Sequence, residues 1–189
     1  MGRWEPDGEG RLRMAAMELF AEVGYEQTTV AAIAERAGLT SRTFFRYFAD
    51  KREVLFSGSE VLQASMVAAL RSAPVDATAM DAMAFALQAP ADFFSEDRRD
   101  FARLRASVIA ANGELHEREL IKLARLSAAL AAALRARGIG EPDASLVAEV
   151  GIAVFRVAFA QWVGPSERRT YSGIVGSLLA RLKTLAALH

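Results

Sequence analysis

The sequence predicts an all-α protein of about nine helices, with an N-terminal three-helix head joined to a larger helical body. Three observations carry that expectation. Apolar residues recur at helical spacing along nearly the whole chain. No segment alternates apolar and polar residues as a half-buried strand does. The prolines, Pro6, Pro74, Pro90, Pro142 and Pro165, fall between the periodic blocks.

Taken in order, residues 10–23 set Leu12, Ala16, Leu19, Phe20 and Val23 on one face, and Gly24 suits the C-cap. Thr29 is an N-cap for a second helix with Val30, Ile33, Ala34 and Ala37 as its stripe, ended by Gly38. A third, short helix starts at Thr40-Ser41 and reaches about Phe48. A fourth starts near Asp50 or Lys51 and carries Val54, Leu55, Val61, Leu62 and Met66 toward "RSAP". Five further blocks follow, over residues 76–88, 97–111, 114–137, 143–163 and 167–188. The expected division is a head over residues 1–56, with its motif at about 31–50, and a body over 57–189.

The chain has 189 residues, a formal net charge of zero and no cysteine. No global field attracts a polyanion, so such a partner must be met by a local patch. The lack of cysteine excludes disulfides and thiol chemistry and fits a cytoplasmic protein. "MGRWEPDGEGR" lacks the apolar core of a signal peptide, and no uncharged run approaches the roughly 18 residues a membrane span needs. Cytoplasmic localisation and no membrane partner are the expectation.

The two short helices flanking "AGLTS" have the size of a helix-turn-helix. Gly38 permits the tight turn. The second helix of such a unit lies in a major groove. Phe44 and Phe48, four apart, point inward to a core with Leu19, Phe20 and Ile33. Ser41, Arg42, Phe45 and Arg46 then point outward. Arg42 has the fork for bidentate reading of a guanine edge, and the Thr43 methyl or the Phe45 ring suits a thymine methyl. Arg46 is placed for base or phosphate, and Tyr47 and Lys51 at the rim suit phosphate. Thr29 and Thr40 bring hydroxyls and helix-start amides to where a phosphate can sit. From residue 36 to 52 there are five positive residues, Arg36, Arg42, Arg46, Lys51 and Arg52, against Asp50 alone.

The stretch "RLRMAAMELFAEVGYEQTTVAAIAERAGLTSRTFFRYFADKREVLF" resembles the DNA-binding domain of TetR-type (tetracycline-repressor-like) transcriptional regulators. The shared frame is "A..LF.E.GY..TTV..IA..AG", the turn into "T...F", the "YF" pair and the Lys three residues later. The resemblance implies phosphate contacts from Thr29, Tyr47 and Lys51. It implies groove contacts from Thr40, Ser41, Arg42, Phe45 and Arg46. Three positions depart from the family's habit: Phe45 is often Tyr, Arg42 often Gly or another small residue, and Ala49 often Pro. The bulky cation at 42 removes any warrant for borrowing a relative's operator.

The 143–163 helix is apolar nearly all round, which marks a helix buried on all sides. The resemblance implies that it and the last helix pair with their copies across a two-fold axis, giving a homodimer that presents two recognition helices to an inverted repeat. Val147, Val154, Trp162, Ile174, Leu178 and Leu182 are the expected interface residues. The resemblance also implies a small-molecule effector in the body, of unknown identity. Phe85, Phe101, Arg105, Phe155 and Phe159 are the expected pocket residues. Arg156 needs a partner if buried, either Glu149 or an anionic ligand.

His116 and His189 are the only histidines, and no phosphate loop or nucleophile–base set can be named, so no metal, cofactor or enzymatic activity is expected. The sequence thus reads as a DNA-binding transcriptional regulator, a repressor released by a ligand. A ligand-independent DNA binder and a helical protein-interaction module remain open alternatives.

Overall fold

The computed structural model describes residues 8–186. The stretch read for a signal peptide begins before these residues, and His189 also lies outside them. The described residues are helical throughout, without strands. By contact they divide into two compact units. One comprises the chain through Ser57 together with Leu104–Glu117, and the other comprises Gly58–Arg103 together with the chain from Arg118 onward.

In the first unit, α1 (Gly8–Glu22), α2 (Val30–Arg36) and α3 (Ser41–Tyr47) are followed by the single turn α4 (Glu53–Phe56). The inward stripe of α1 is buried, including Leu12, Ala16, Leu19 and Phe20. Val23 is exposed, because α1 has ended one residue earlier and Gly24 turns the chain at φ +85°. Phe44 is completely buried and Phe48 nearly so, their rings 5.4 Å apart. Both inward assignments hold, although Phe48 has already left the helix with extended dihedrals.

The fourth expected helix is interrupted. Its Ser57 is non-helical and Gly58 sits at φ +87°, a conformation a β-carbon disfavours. The helix therefore stops at Phe56 and restarts as α5 (Ser59–Ser72). Apolar periodicity runs through this break, so only the "SG" dipeptide hints at it.

The second unit contains α5, α6 (Ala79–Gln88), the first part of α7 (Arg99–Ala110), most of α8 (Gly113–Ala136), α9 (Asp143–Trp162) and α10 (Tyr171–Ala186). Its core draws on five of them: Met66 and Leu70, Met83 and Leu87, Leu130 and Leu134, Ile152 and Phe155, Ile174 and Val175. Helix α9 packs on α6 and α10, and a β-carbon at Gly151 would lie 2.6 Å from the Met83 sulfur. That close approach fixes which side of α9 faces inward. Arg99, almost fully buried, ties the α9–α10 connection down. It donates to the carbonyls of Glu167 (2.5 Å) and Arg169 (2.8 Å) and pairs with Glu96. Three buried or half-buried rings, Phe155, Phe159 and Trp162, surround Phe94, with centroids 5.3–6.1 Å away, and Tyr171 closes in at 4.8 Å. None of the described helices is long and apolar enough to cross a membrane.

Candidate nucleic-acid interface

Two threonines and a glycine build the motif. Thr29 Oγ1 accepts from the amide of Ala32 and starts α2. At the far end the amide of Gly38 donates to Glu35 and that of Leu39 to Ala34, with Gly38 at φ +65°. These paired bonds are a Schellman ending, and a left-handed residue is what closes it. Thr40 Oγ1 then accepts from the amide of Thr43 and starts α3, while its hydroxyl also meets that of Thr43 at 3.0 Å. Capping by Thr29 uses a lone pair, so its O–H remains free to donate outward.

With α3 fastened at its start and anchored by Phe44, its other face points to solvent. Arg42, Phe45, Arg46 and Tyr47 are exposed, and Phe45 is a large apolar ring with 57% of its surface open. Ser41 and Thr43 are half-buried at the edge of this face. Arg46 lies over the Tyr47 ring at 4.9 Å and donates to its hydroxyl. Among the described residues none restrains Arg42 in this way.

The five-to-one excess of positive charge shrinks in three dimensions. Arg36 forms a bidentate bond with Glu22 (2.7 and 3.0 Å), which holds that carboxyl below its usual range, chiefly through the hydrogen bond. Arg52 pairs with Asp50 at 2.7 Å. Lys51 directs its ammonium at three carbonyls, those of Tyr25 (2.7 Å), Glu26 (3.2 Å) and Thr28 (3.0 Å), and lies over the Tyr25 ring. An ammonium has three donors, so Lys51 is fully occupied. The rim role expected for it gives way to a clamp on the turn that leads into Thr29. Burial beneath this clamp pushes the Tyr25 phenol up to about 12. Arg42 and Arg46 are the two cations of this stretch left facing outward. Lys51→Ala is expected to lower the unfolding free energy of the head by about 2 kcal/mol, read by urea denaturation. A loss below about 0.5 kcal/mol, the level of an ordinary surface change, would leave the ammonium no clamping role.

The second stretch of this unit reaches the same turn. Asn112 caps the start of α8 with Oδ1 and donates to Glu26 with Nδ2 at 2.6 Å. Arg105 donates to the Leu55 carbonyl at 2.6 Å and lies over Phe56. Arg105 is thus engaged in the first unit, and Phe155 and Phe159, expected with it as pocket residues, belong to the second. Those two meet around Phe94 in the second unit's core. Phe101 is half-buried, and Phe85 is 46% exposed on α6.

The profile of the family described as "Bacterial regulatory proteins, tetR family" matches residues 12–57. Residues 12–57 carry the head of that family. The HTH-type transcriptional regulator TcmR of Streptomyces glaucescens is 42% identical over 74 residues. That match takes in 39% of this chain and only 33% of TcmR. The TetR-family regulator PfmR of Thermus thermophilus shares the fold over 95% of this chain and 99% of its own, with 24% identity and a TM-score of 0.58. A putative TetR-family regulator of Syntrophomonas wolfei does so over 95% of both chains, with 16% identity and a TM-score of 0.67. The family profile thus covers the head, and the likeness in fold extends to the body.

Three of the six interface residues expected in the body are claimed by its own core. Trp162 and Ile174 are completely buried and Val154 nearly so, while Val147, Leu178 and Leu182 pack half-buried against the same core. A helix apolar all round does not reveal which side its own chain will take. What α9 leaves open is Leu146 (62% exposed), Ala153, Val157 (46%) and Ala160, with Val150 half-buried between them. On α10 the exposed positions include Gly173, Gly176, Ser177 and Ala180. Within the chain the Glu149–Arg156 pair does not form. Glu149 accepts from the buried Ser127 hydroxyl at 2.6 Å, and Arg156 is exposed. Nothing near Arg11 and Glu22 in sequence marks them as braces of the motif, because their partners are set by the fold.

Proposed function

We propose that this TetR-family chain is a sequence-specific DNA-binding transcriptional regulator, a cytoplasmic homodimer that represses from an inverted-repeat operator and is released by a small molecule bound in the body. The observation that carries this reading is the outward face of α3, where Arg42, Phe45, Arg46 and Tyr47 stand exposed on a helix capped by Thr40 and anchored by the buried Phe44. In this reading Arg42 reads a guanine through its fork, and Phe45 or the Thr43 methyl meets a thymine methyl. Ser41 and Arg46 approach the same groove. Thr29, Thr40 and Tyr47 hold phosphates on either side and set the register. Lys51 contributes through the turn that presents Thr29. The reading assigns no catalytic chemistry.

Dimerisation would use the open faces of α9 and α10, whose positions 146, 150, 153, 157 and 160 on α9 recur at helix-packing spacing. A two-fold axis would then bring two α3 helices to adjacent half-sites. An effector acts only if it binds the operator-competent and the released state unequally.

Selection of genomic fragments by the purified protein, followed by measurement on the enriched site, tests the proposal. Arg42→Ala is expected to cost about 1–3 kcal/mol at one base pair and to relax discrimination there. An equal loss on every duplex would remove Arg42 from base reading, and failure to enrich any site would remove the proposal itself. The ring packing around Phe94 favours one second reading, a DNA binder whose body is filled and takes no effector. A compound that both stabilises the protein and lowers its operator affinity would exclude that second reading.

A further inference from the structure

We infer that Arg11 is a positioning residue for sequence discrimination, setting the angle at which α3 leaves the turn although it lies on α1, outside the motif. The inference rests on the DNA-binding reading above. The Schellman bonds serve the carbonyls of Ala34 and Glu35. The carbonyls of Ala37 and Gly38, further along the turn, take their donors from Arg11. Its Nε reaches the Ala37 oxygen at 3.1 Å, Nη2 reaches the same oxygen, and Nη2 reaches the Gly38 oxygen at 3.4 Å.

A guanidinium is a rigid planar fork, so bonds to two successive carbonyls restrain the orientation of both peptide planes that flank the residue between them. Those planes join Ala37 to Gly38 and Gly38 to Leu39, immediately before the Thr40 cap of α3. A β-carbon at Gly38 would lie 3.0 Å from Arg11 Nη2, so the turn and the fork are fitted to each other. The same face of α1 carries Glu18 and Glu22, seven and eleven residues on, and both bond Arg36 in the last turn of α2. Helix α1 thus grips the end of α2 twice, with a cation on its carbonyls and two anions on its arginine. Between the grips lies a shallow open groove lined by Met14, Ala15 and Ala37. Loss of the Arg42 side chain would remove a reader, whereas loss of Arg11 would leave every reader in place and loosen the platform beneath them.

The test compares wild type, Arg11→Ala and Arg11→Lys on two duplexes, the site enriched by wild type and a scrambled version of it. Amide hydrogen exchange at Leu39, whose N–H donates to Ala34 at 2.8 Å, is followed without DNA. Arg11→Ala is expected to lower the ratio of enriched to scrambled binding about tenfold, with scrambled binding retained, since a charged donor on a carbonyl is worth about that much. Leu39 exchange should quicken by a similar factor while helical content is unchanged. Arg11→Lys should recover part of both losses, because an ammonium carries the charge but lacks the planar fork. An unchanged ratio in Arg11→Ala overturns the inference. So does an equal loss on both duplexes, which would mark Arg11 as a phosphate contact. If Arg11→Ala does not fold, Arg11→Lys decides, and wild-type discrimination together with wild-type exchange in that variant overturns the inference. If wild type itself enriches no site, the DNA-binding reading fails, and Leu39 exchange still reports whether Arg11 holds the turn.

Discussion

Phe44→Ala should unfold the head, at a cost of about 3–5 kcal/mol. The ring is completely buried and lies against Phe48 at 5.4 Å and edge-on to Phe45 at 5.6 Å. Truncation removes the transfer energy of the ring and leaves a cavity that a small core cannot refill. Domains are stable by only about 5–15 kcal/mol in all, and small ones sit at the low end. The head should therefore lose most of its native population at 25 °C. Hydrogen exchange resolved along the chain separates the two units: amides of α1–α3 should lose protection while those of α9 and α10 keep theirs. Phe45→Ala removes a ring that is 57% exposed, so it is the control and should leave that protection in place. Retention of wild-type protection in α1–α3 of Phe44→Ala would show that the ring does not organise the head.

Val157→Glu is expected to convert a dimer into a monomer and to reduce operator affinity by a factor of about 10²–10⁴. Val157 is 46% exposed on the open α9 face, and near a two-fold axis each copy would meet its equivalent. Two carboxylates there would lose water and oppose one another, an arrangement that costs several kcal/mol. Losing the partner head turns a two-site grip into a single weak one. Analytical ultracentrifugation reads the first effect and titration on the enriched duplex the second. Trp162→Glu would unfold the body instead, since that ring is in the chain's own core. A Val157→Glu protein that remains dimeric would place the interface elsewhere.

Much of the head was legible before any coordinates. The caps at Thr29 and Thr40, the turn at Gly38 and the inward pair Phe44 and Phe48 were all assigned from spacing and residue type, and the structure has them so. Charge was less legible. By spacing Lys51 is a rim cation but in the fold it is a clamp, Arg36 and Arg52 read as part of a patch but are paired, and nothing near Arg11 in sequence marks its part. In the body, Trp162 and Ile174 looked like surface for a partner and are core, and Arg105 was grouped with a pocket but serves Leu55.

The difference follows from range. A cap, a turn glycine and the two sides of a short helix depend on groups within about four residues of each other, and the sequence alone determines them. Which carboxylate Arg36 meets and which carbonyls Lys51 and Arg11 close on depend on residues 14 to 26 positions away, and which side of an all-apolar helix turns inward depends on the other helices of the body. The sequence therefore determined that this chain is an all-helical protein with a helix-turn-helix head and an aromatic, cationic outward face. Only the tertiary structure decided which cations remain on that face, because burial and pairing consume the others first.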